Sequence, residues 1–243
     1  MIEPLLLSCV QVTTYNDGAN LTNASGFFFE NAGRLFLITS RHVLVDKPSN
    51  HKPDAIAIEV HTNRENLAES IMYSIPLYLN GKRNWRQGKD SSGEVDVAAI
   101  EVFQNQLPET ALYCAFTPDH LHDSIEGIRI GSRLLIVGFP LSFHDTLHHL
   151  PVARQGITAS SFSMRFQGNG YFLTDARTHR GMSGAPVVMP VSYGKQKDSE
   201  LPWVLLGIHS ARLDVGTRDM EMDEALGLNC AWFADFLLTL TRN

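Results

Sequence analysis

The chain has 243 residues, enough for one large all-β domain or for two small ones packed together with an ample core. Acidic residues outnumber basic ones, giving a net charge of -6, and no Lys/Arg-rich run could neutralise a phosphate backbone, which excludes nucleic acid as an expected partner. Apolar stretches fall well short of the roughly 20 residues of a membrane-spanning helix, and the first residues lack the basic region and cleavage site of a signal peptide.

Short β-branched or aromatic runs alternate along the chain with Gly, Asn, Asp and Pro, a pattern typical of an all-β sandwich or barrel. In chain order, the predicted strands cover residues 5–13, 26–30, 35–39, 55–61, 95–102, 133–137, 156–160, 171–174, 185–189 and 204–209. The segment 30–34 predicts a hairpin turn, because Asn and Gly tolerate positive φ. Apolar spacings of three and four from Cys230 to Thr241 predict a terminal helix.

The segment 180–188 places Ser183 between two glycines, just before a β-rich run. A serine hydroxyl is a poor nucleophile at neutral pH, so it needs a base to take its proton and amide donors to hold the oxyanion formed on attack. The backbone N–H groups of Gly181 and Ser183 are the natural donors. Taken alone, the segment is equally typical of a Gly-Ser turn that enters a strand.

Two upstream residues supply the other parts of a nucleophilic site. His42 directly follows a hydrophobic strand, where a short turn would hold its ring at the surface as a general base. Asp96 opens an apolar strand, where its buried carboxylate would need a partner such as a His ring N–H. Each residue alone has an ordinary structural explanation, but together with Ser183 they predict a catalytic triad.

The order His, Asp, Ser resembles that of the trypsin/chymotrypsin superfamily of serine peptidases. Residues 39–42 resemble its T-A-A-H segment, and residues 96–100 resemble its D-x-A-x-L/I segment. The likeness is strongest to the bacterial, disulfide-free branch typified by HtrA-type proteases. Four motifs of that branch have similar segments in this chain. T-D-A…G-N-S-G-G-P is resembled at residues 174–186, G-x-P at 137–140, G-I-V-S-A at 156–160 and G-I-N-T-A at 207–211.

This resemblance, which spans residues 25 to 235, implies a chymotrypsin-like fold with two six-stranded antiparallel β-barrels and a C-terminal helix. It divides a single peptidase domain, 1–243, into an N-terminal barrel (1–115), a connector (116–128), a C-terminal barrel (129–229) and the helix (230–243). It implies a serine endopeptidase that cleaves peptide bonds through an acyl-enzyme and needs no cofactor. Its expected partners are a protein or peptide substrate and a regulatory protein.

Two departures from relatives change the expectations for activation and targeting. Met182 stands where secreted, zymogen-activated relatives carry an Asp that pairs with a freed N-terminus, so we expect a site that forms without N-terminal processing. HtrA-type enzymes usually append PDZ domains, and none is expected in this chain. Substrate choice would then depend on the peptidase domain or on partners.

Substrate preference is approached through Thr178, five residues before Ser183, and His209, on the strand beside the predicted specificity pocket. The pair resembles that of glutamyl endopeptidases, in which a His and a Ser or Thr hold an acidic side chain, while viral relatives use a similar His for Gln. An imidazole N–H and a hydroxyl both suit a carboxylate or amide oxygen. The predicted substrate site also includes Ser210 and Arg177, and cleavage after Glu, Asp or Gln is expected. A core histidine and a turn threonine are equally compatible with the pattern.

Two other segments raise the question of metal binding. His144 and His148 have i,i+4 spacing next to Asp145, but zinc needs at least three convergent ligands, and flanking prolines indicate a loop. The acidic segment 214–224 favours a charged surface loop over a cation site. We therefore expect no metal.

Two alternatives to a trypsin-like peptidase were weighed. The nucleophile segment superficially resembles that of an α/β-hydrolase, but that fold runs nucleophile, acid, base and needs a helix after its Ser. Here Pro186 and two valines suit a strand, and His209 alone among histidines follows Ser183. A catalytically latent binding module of the same fold, gated by a partner, remains the alternative.

Cysteine usage bears on the compartment. The three cysteines, Cys9, Cys114 and Cys230, are odd in number and widely separated. This pattern fits a reducing compartment better than a disulfide-stapled secreted enzyme. We therefore expect a cytoplasmic protein.

Overall fold

The computed structural model describes residues 2–122, 127–191, 200–210 and 227–242. Three short helices are α1 (Pro4–Ser8), α2 (Arg41–Leu44) and α3 (Phe236–Leu240). The strands are β1 (Cys9–Asn16), β2 (Ala19–Asn31), β3 (Arg34–Thr39), β4 (Ala55–His61), β5 (Ser70–Pro76), β6 (Tyr78–Leu79), β7 (Lys82–Arg83), β8 (Arg86–Asp90), β9 (Gly93–Val102), β10 (Arg133–Gly138), β11 (Val152–Thr158), β12 (Tyr171–Ala176), β13 (Pro186–Pro190), β14 (Trp203–Ser210) and β15 (Leu228–Phe233). Within these ranges, no helix has the length and apolar character needed to cross a membrane.

The two halves of the chain form separate antiparallel sheets. The first half gives a seven-stranded sheet in the order β5-β4-β1-β2-β3-β9-β8, with β6 and β7 as a small separate ribbon. The second half closes into a six-stranded barrel in the order β10-β11-β12-β15-β14-β13. The chymotrypsin-like all-β class is confirmed. The expected six-stranded barrel of the first half is instead this seven-stranded sheet, because β8 adds an extra strand beside β9.

Three apolar clusters explain why these strands pack as they do. One fills the first half, and it includes Val12, Phe28 and Ile58. A second lies inside the barrel of the second half and contains Phe172 and Met182. The third combines residues of both halves, together with residues of α1 and α3, so the helices bury apolar surface at the junction. A junction with its own core fixes the two halves against each other, and the candidate site lies there.

Predictions at both ends of the chain were wrong in detail. The strand predicted for residues 5–13 begins only at Cys9, because Pro4 and three leucines form α1; proline at the first helical turn has a suitable φ and needs no N–H partner. The helix predicted for residues 230–243 is limited to α3, because residues 228–233 pair as β15 with β12 and β14. That strand is buried on both faces, which removes the period-two pattern of a strand.

The remaining nine predicted strands coincide with or overlap β2, β3, β4, β9, β10, β11, β12, β13 and β14. The predicted hairpin after β2 is confirmed, and it turns at Ala32 and Gly33, both with positive φ. The sequence missed β5 and β8, whose residues are mostly exposed or half-buried and carry little apolar periodicity. The division at residues 115 and 129 stays a prediction; β9 ends at Val102 and β10 begins at Arg133, and residues 123–126 of the connector lie outside the described ranges.

Candidate active site

His42 and Asp96 come together because their strands are neighbours in the first sheet. In the β3–β9 pairing, Thr39 lies opposite Ala98, so the residues just after β3 meet those near the start of β9. The one-turn helix α2 then carries His42, while its next residues, Val43 and Leu44, are buried. Asp96 is 3% exposed. Strand register and a buried helical turn thus fix both side chains.

A continuous chain of hydrogen bonds joins the three predicted catalytic residues. The Nδ1 atom of His42 lies 2.7 Å from Oδ2 of Asp96, and its Nε2 atom lies 3.0 Å from Oγ of Ser183. The backbone N–H of His42 also donates to Oδ1 of Asp96 at 2.9 Å. These are the contacts that a base needs to take a proton from a hydroxyl while its ring stays oriented.

The charge state of Asp96 follows from its partners. Burial raises the pKa of its carboxyl, but the positive charge that His42 can carry and hydrogen bonds from His42 and Ser210 outweigh burial and hold the pKa below its ordinary value of 3.8. Ser210 donates its hydroxyl to Oδ2 of Asp96 at 2.7 Å. The side chain of Ser210 therefore supports the Asp96 carboxylate, and its predicted contact with substrate stays a prediction.

Ser183 lies in the turn between β12 and β13, and two glycines shape this turn. Gly181 and Gly184 have φ of 93° and 86°, which favour glycine. A Cβ on Gly184 would lie 2.2 Å from the carbonyl oxygen of Ser25, and one on Gly181 would lie 2.4 Å from that of Phe139. The turn thus packs closely against the first half and against the segment after β10.

The two predicted oxyanion donors are unoccupied by protein acceptors. Within the described residues, the N–H groups of Gly181 and Ser183 donate to no other atom. The carbonyl of Arg180 accepts a hydrogen bond of 2.6 Å from the N–H of Leu141. Because C=O and N–H point in opposite directions across a trans peptide, this bond keeps the Gly181 N–H turned away from Leu141. The arrangement suits an oxyanion hole that is open before substrate arrives.

Ser25, near the middle of β2, connects the two halves at this turn, and the sequence did not single it out. Its hydroxyl donates to the carbonyl of Gly181 at 2.7 Å and accepts from the N–H of Phe139 at 3.0 Å. Its own N–H donates to the carbonyl of Ser183 at 3.0 Å. Ser25 is fully buried. A serine followed by glycine at 25–26 was the available signal, but it is common in turns.

The residues predicted to choose the substrate occupy different environments. His209 is fully buried on β14, and its backbone carbonyl accepts from the N–H of Gly184 at 2.8 Å, next to Ser183. Thr178 is half-buried and donates its hydroxyl to Oδ1 of Asn229 at 2.6 Å. Arg177 is exposed. Asn229 is a contact that the sequence missed, because it lies beyond the last predicted strand and just before the helix predicted to begin at Cys230.

The segment that carries His144 and His148 makes contacts within itself and with β4, where Glu59 pairs with His149. His148 lies 2.7 Å from a carboxylate oxygen of Asp145, and His144 lies 2.6 Å from the carbonyl oxygen of Ser142. Across the described part of the chain, no three His, Cys, Asp or Glu side chains could hold a metal ion together. The acidic segment 214–224 lies outside the described residues.

The fold and the site together define the class. A Ser–His–Asp chain of hydrogen bonds between two antiparallel β halves is the arrangement of serine-type peptidases with a chymotrypsin-like fold. The family model described as "Trypsin-like peptidase domain" matches residues 24–193, which include all three side chains. The chain belongs to this family.

Comparison with solved structures shows the same fold. The crystal structure of the serine endoprotease from Yersinia pestis matches with a TM-score of 0.54 at 18% sequence identity. The match covers 97% of this chain and 62% of that one, so this chain spans less than two thirds of the length of its structural relative. No curated protein sequence matches this chain.

Proposed function

We propose that the protein is a serine endopeptidase in which Ser183 is the nucleophile, His42 the general base and Asp96 the residue that orients His42. The observation that carries this proposal is the unbroken hydrogen-bond chain from Asp96 through His42 to Ser183. A surface His or a strand-entry Asp would not need this alignment. The backbone N–H groups of Gly181 and Ser183, which have no acceptor among the described residues, add the oxyanion donors that acyl transfer requires.

The mechanism follows from these contacts. Nε2 of His42 takes the hydroxyl proton as Oγ of Ser183 attacks the peptide carbonyl carbon, and the N–H groups of Gly181 and Ser183 hold the resulting oxyanion. The imidazolium then gives its proton to the departing amine, which leaves an ester on Ser183. Water, deprotonated by the same ring, hydrolyses the ester and restores the free hydroxyl. Asp96 stabilises the imidazolium throughout.

We also propose that the residue before the scissile bond is Glu, Asp or Gln. Support comes from two residues. His209 has a buried imidazole, and its backbone carbonyl accepts a hydrogen bond from Gly184 in the turn that carries Ser183. Thr178 supplies a hydroxyl five residues before Ser183. Both groups can hydrogen-bond a carboxyl or carboxamide. Arg177 is exposed and adds positive charge near the entrance to this turn.

A cytoplasmic location is part of the proposal. Cys9, Cys114 and Cys230 form no disulfide with one another. Burial raises the pKa of Cys9 to about 12, so its thiol is unreactive. These features suit a reducing compartment.

The experiment that tests the activity is mass-spectrometric profiling of a peptide library incubated with the wild-type chain and with Ser183→Ala. We expect internal cleavage by the wild type after a restricted set of residues. The Ser183→Ala variant should show none of these products. A folded wild-type protein that cleaves no peptide would contradict the proposed activity.

A further inference from the structure

The side chain of His209 is unusual because its ring is buried without a hydrogen-bond partner among the described residues. It is fully buried, and within the described residues neither of its ring nitrogens has a hydrogen-bond partner. A neutral imidazole carries one N–H donor, and leaving that donor unpaired in a protein interior is unfavourable. A buried donor of this kind is satisfied when a bound ligand supplies the missing acceptor.

His209 is also held neutral. Burial first, and then the nearby positive charge that His42 can carry, lower the pKa of its ring to about 3. At neutral pH the ring is therefore uncharged. It can donate one hydrogen bond, but it cannot form an ion pair with a carboxylate.

Thr178 is committed as a donor. Its hydroxyl donates to Oδ1 of Asn229 at 2.6 Å, while Nδ2 of Asn229 donates to the carbonyl of Ala176 at 2.8 Å. Exchanging the oxygen and nitrogen of Asn229 would set two acceptors against each other at Ala176, so this orientation is fixed. With its proton directed to Asn229, Thr178 presents only oxygen lone pairs to a ligand.

Strand register places these groups on one side of the barrel sheet. His209 lies directly opposite Ala231 in the β14–β15 pairing, and Asn229 is two residues before Ala231 on the same strand. Directly opposite residues and residues two apart share a face of a sheet. His209 and the Thr178–Asn229 pair therefore belong to the same face, next to the turn that carries Ser183. We call these three residues the primary pocket.

The primary pocket thus offers one neutral donor and one acceptor. A carboxamide has an oxygen for the donor and an NH₂ group for the acceptor, whereas a carboxylate would bring a second acceptor against Thr178 and a buried charge without a cation. Arg177 is exposed and its charge is screened by water. We propose that the primary pocket narrows the preference proposed above: it selects a neutral carboxamide side chain, Gln or its shorter homologue Asn, over Glu or Asp. This inference rests on the proposed peptidase function.

The test compares four peptide pools, which have randomised flanks and differ only in a fixed central Gln, Asn, Glu or Asp. We expect kcat/KM for cleavage after an amide residue to exceed that for its acid counterpart at least about tenfold, since a site built around hydrogen bonds rejects a mismatched analogue strongly. Equal rates, or faster cleavage after Glu or Asp, would overturn the proposal.

A matched pair of variants tests the hydrogen-bond polarity. Asn229→Leu frees the Thr178 proton to face the substrate, so the amide-to-acid ratio should fall severalfold. Thr13 donates to Oδ1 of Asn23 at 2.9 Å on β1 and β2, and Asn23→Leu therefore removes a similar bond away from the pocket and should leave the ratio unchanged. If Asn229→Leu does not fold, Thr178→Val tests the same acceptor and should also reduce the ratio. An unchanged ratio in both folded variants would overturn the proposal.

Labelling with a fluorophosphonate separates this inference from the function beneath it. Such a probe reports whether Ser183 is an activated nucleophile without using the primary pocket. Labelling of Ser183 together with a preference for acids, or with no cleavage of the Gln and Asn pools, overturns the amide selection alone. A folded protein that is neither labelled nor active on any pool overturns both.

Discussion

The two sides of the catalytic cleft differ in how their polar groups are satisfied. On the side of the first half, both ring nitrogens of His42 and both carboxylate oxygens of Asp96 have partners. On the side of the second half, the N–H groups of Gly181 and Ser183 and the ring of His209 have none among the described residues. The polar groups of His42 and Asp96 all have partners without substrate. The donors on the side of the second half are left for a substrate to pair with.

This contrast separates two physical tasks. A general base works best when its orientation is fixed before the reaction, so the protein supplies every contact. Oxyanion donors must be positioned but unpaired. Hydrogen bonds from Ser25 and Leu141 to backbone carbonyls of the turn hold the two proposed donors, the N–H groups of Gly181 and Ser183, in place.

Removing the nucleophile or the base should have the largest effect. Ser183→Ala or His42→Ala is expected to lower kcat by about 10⁴–10⁶, because the two groups act as a unit. Peptide hydrolysis measures this change. Ser163→Ala is a suitable control, since the hydroxyl of that exposed serine pairs with the hydroxyl of Ser161 and with none of the three predicted catalytic residues. Residual turnover near wild type in either triad variant would refute their assigned roles.

Asp96→Asn removes the carboxylate charge beside His42 while keeping the size and shape of the side chain. The amide cannot support the imidazolium and favours the wrong ring tautomer, so kcat should fall by up to about 10⁴. Ser210→Ala removes one bond to the same carboxylate and should cost far less. Steady-state kinetics with one peptide substrate rank the two variants. Equal losses would show that the carboxylate is not held as described.

Ser25→Ala tests the support behind the open donors. The Gly181 carbonyl and the Phe139 N–H would both lose a buried partner, and the oxyanion hole should loosen. We expect kcat to fall by about tenfold, with KM little changed. This loss is smaller than the factor of about 10²–10³ that removal of an oxyanion donor costs. Leu21→Ala, an exposed change on the same strand, is the control. A variant that loses stability but keeps kcat would assign Ser25 a purely structural role.

Because the pKa of the His209 ring is lowered on folding, the free energy of unfolding should depend on pH. Its folded pKa of about 3 lies below the ordinary 6.5, so below about pH 6.5 the unfolded chain binds a proton that the folded one refuses. The stability contribution is complete above that pH and should fall by up to about 1.4 kcal/mol per pH unit on acidification toward pH 3. Denaturant unfolding of His209→Gln should show a flatter profile. Because burial also lowers the pKa of His120, His120→Gln is the comparison, and an unchanged slope in His209→Gln would contradict the assignment.

The sequence predicted the triad because acyl transfer needs particular residue types in a particular order, and those residues stand out. Ser25 could not be found this way, since it contacts Gly181 across 156 positions and looks like an ordinary serine. Asn229 lies just before the predicted helix, on a strand whose next three residues are all buried and therefore lack the alternation of a strand. The wrong element at residues 230–235 and the missed support for the pocket have the same cause: tertiary pairing that no local pattern encodes.

The most direct test of the central claim is reaction of the folded protein with a fluorophosphonate, followed by intact-mass measurement and peptide mapping. The hydrogen-bond chain predicts one adduct, on Ser183, and little or no adduct in His42→Ala, because the hydroxyl then has no base. Absence of labelling in the folded wild type, or labelling that His42→Ala leaves unchanged, would contradict the account.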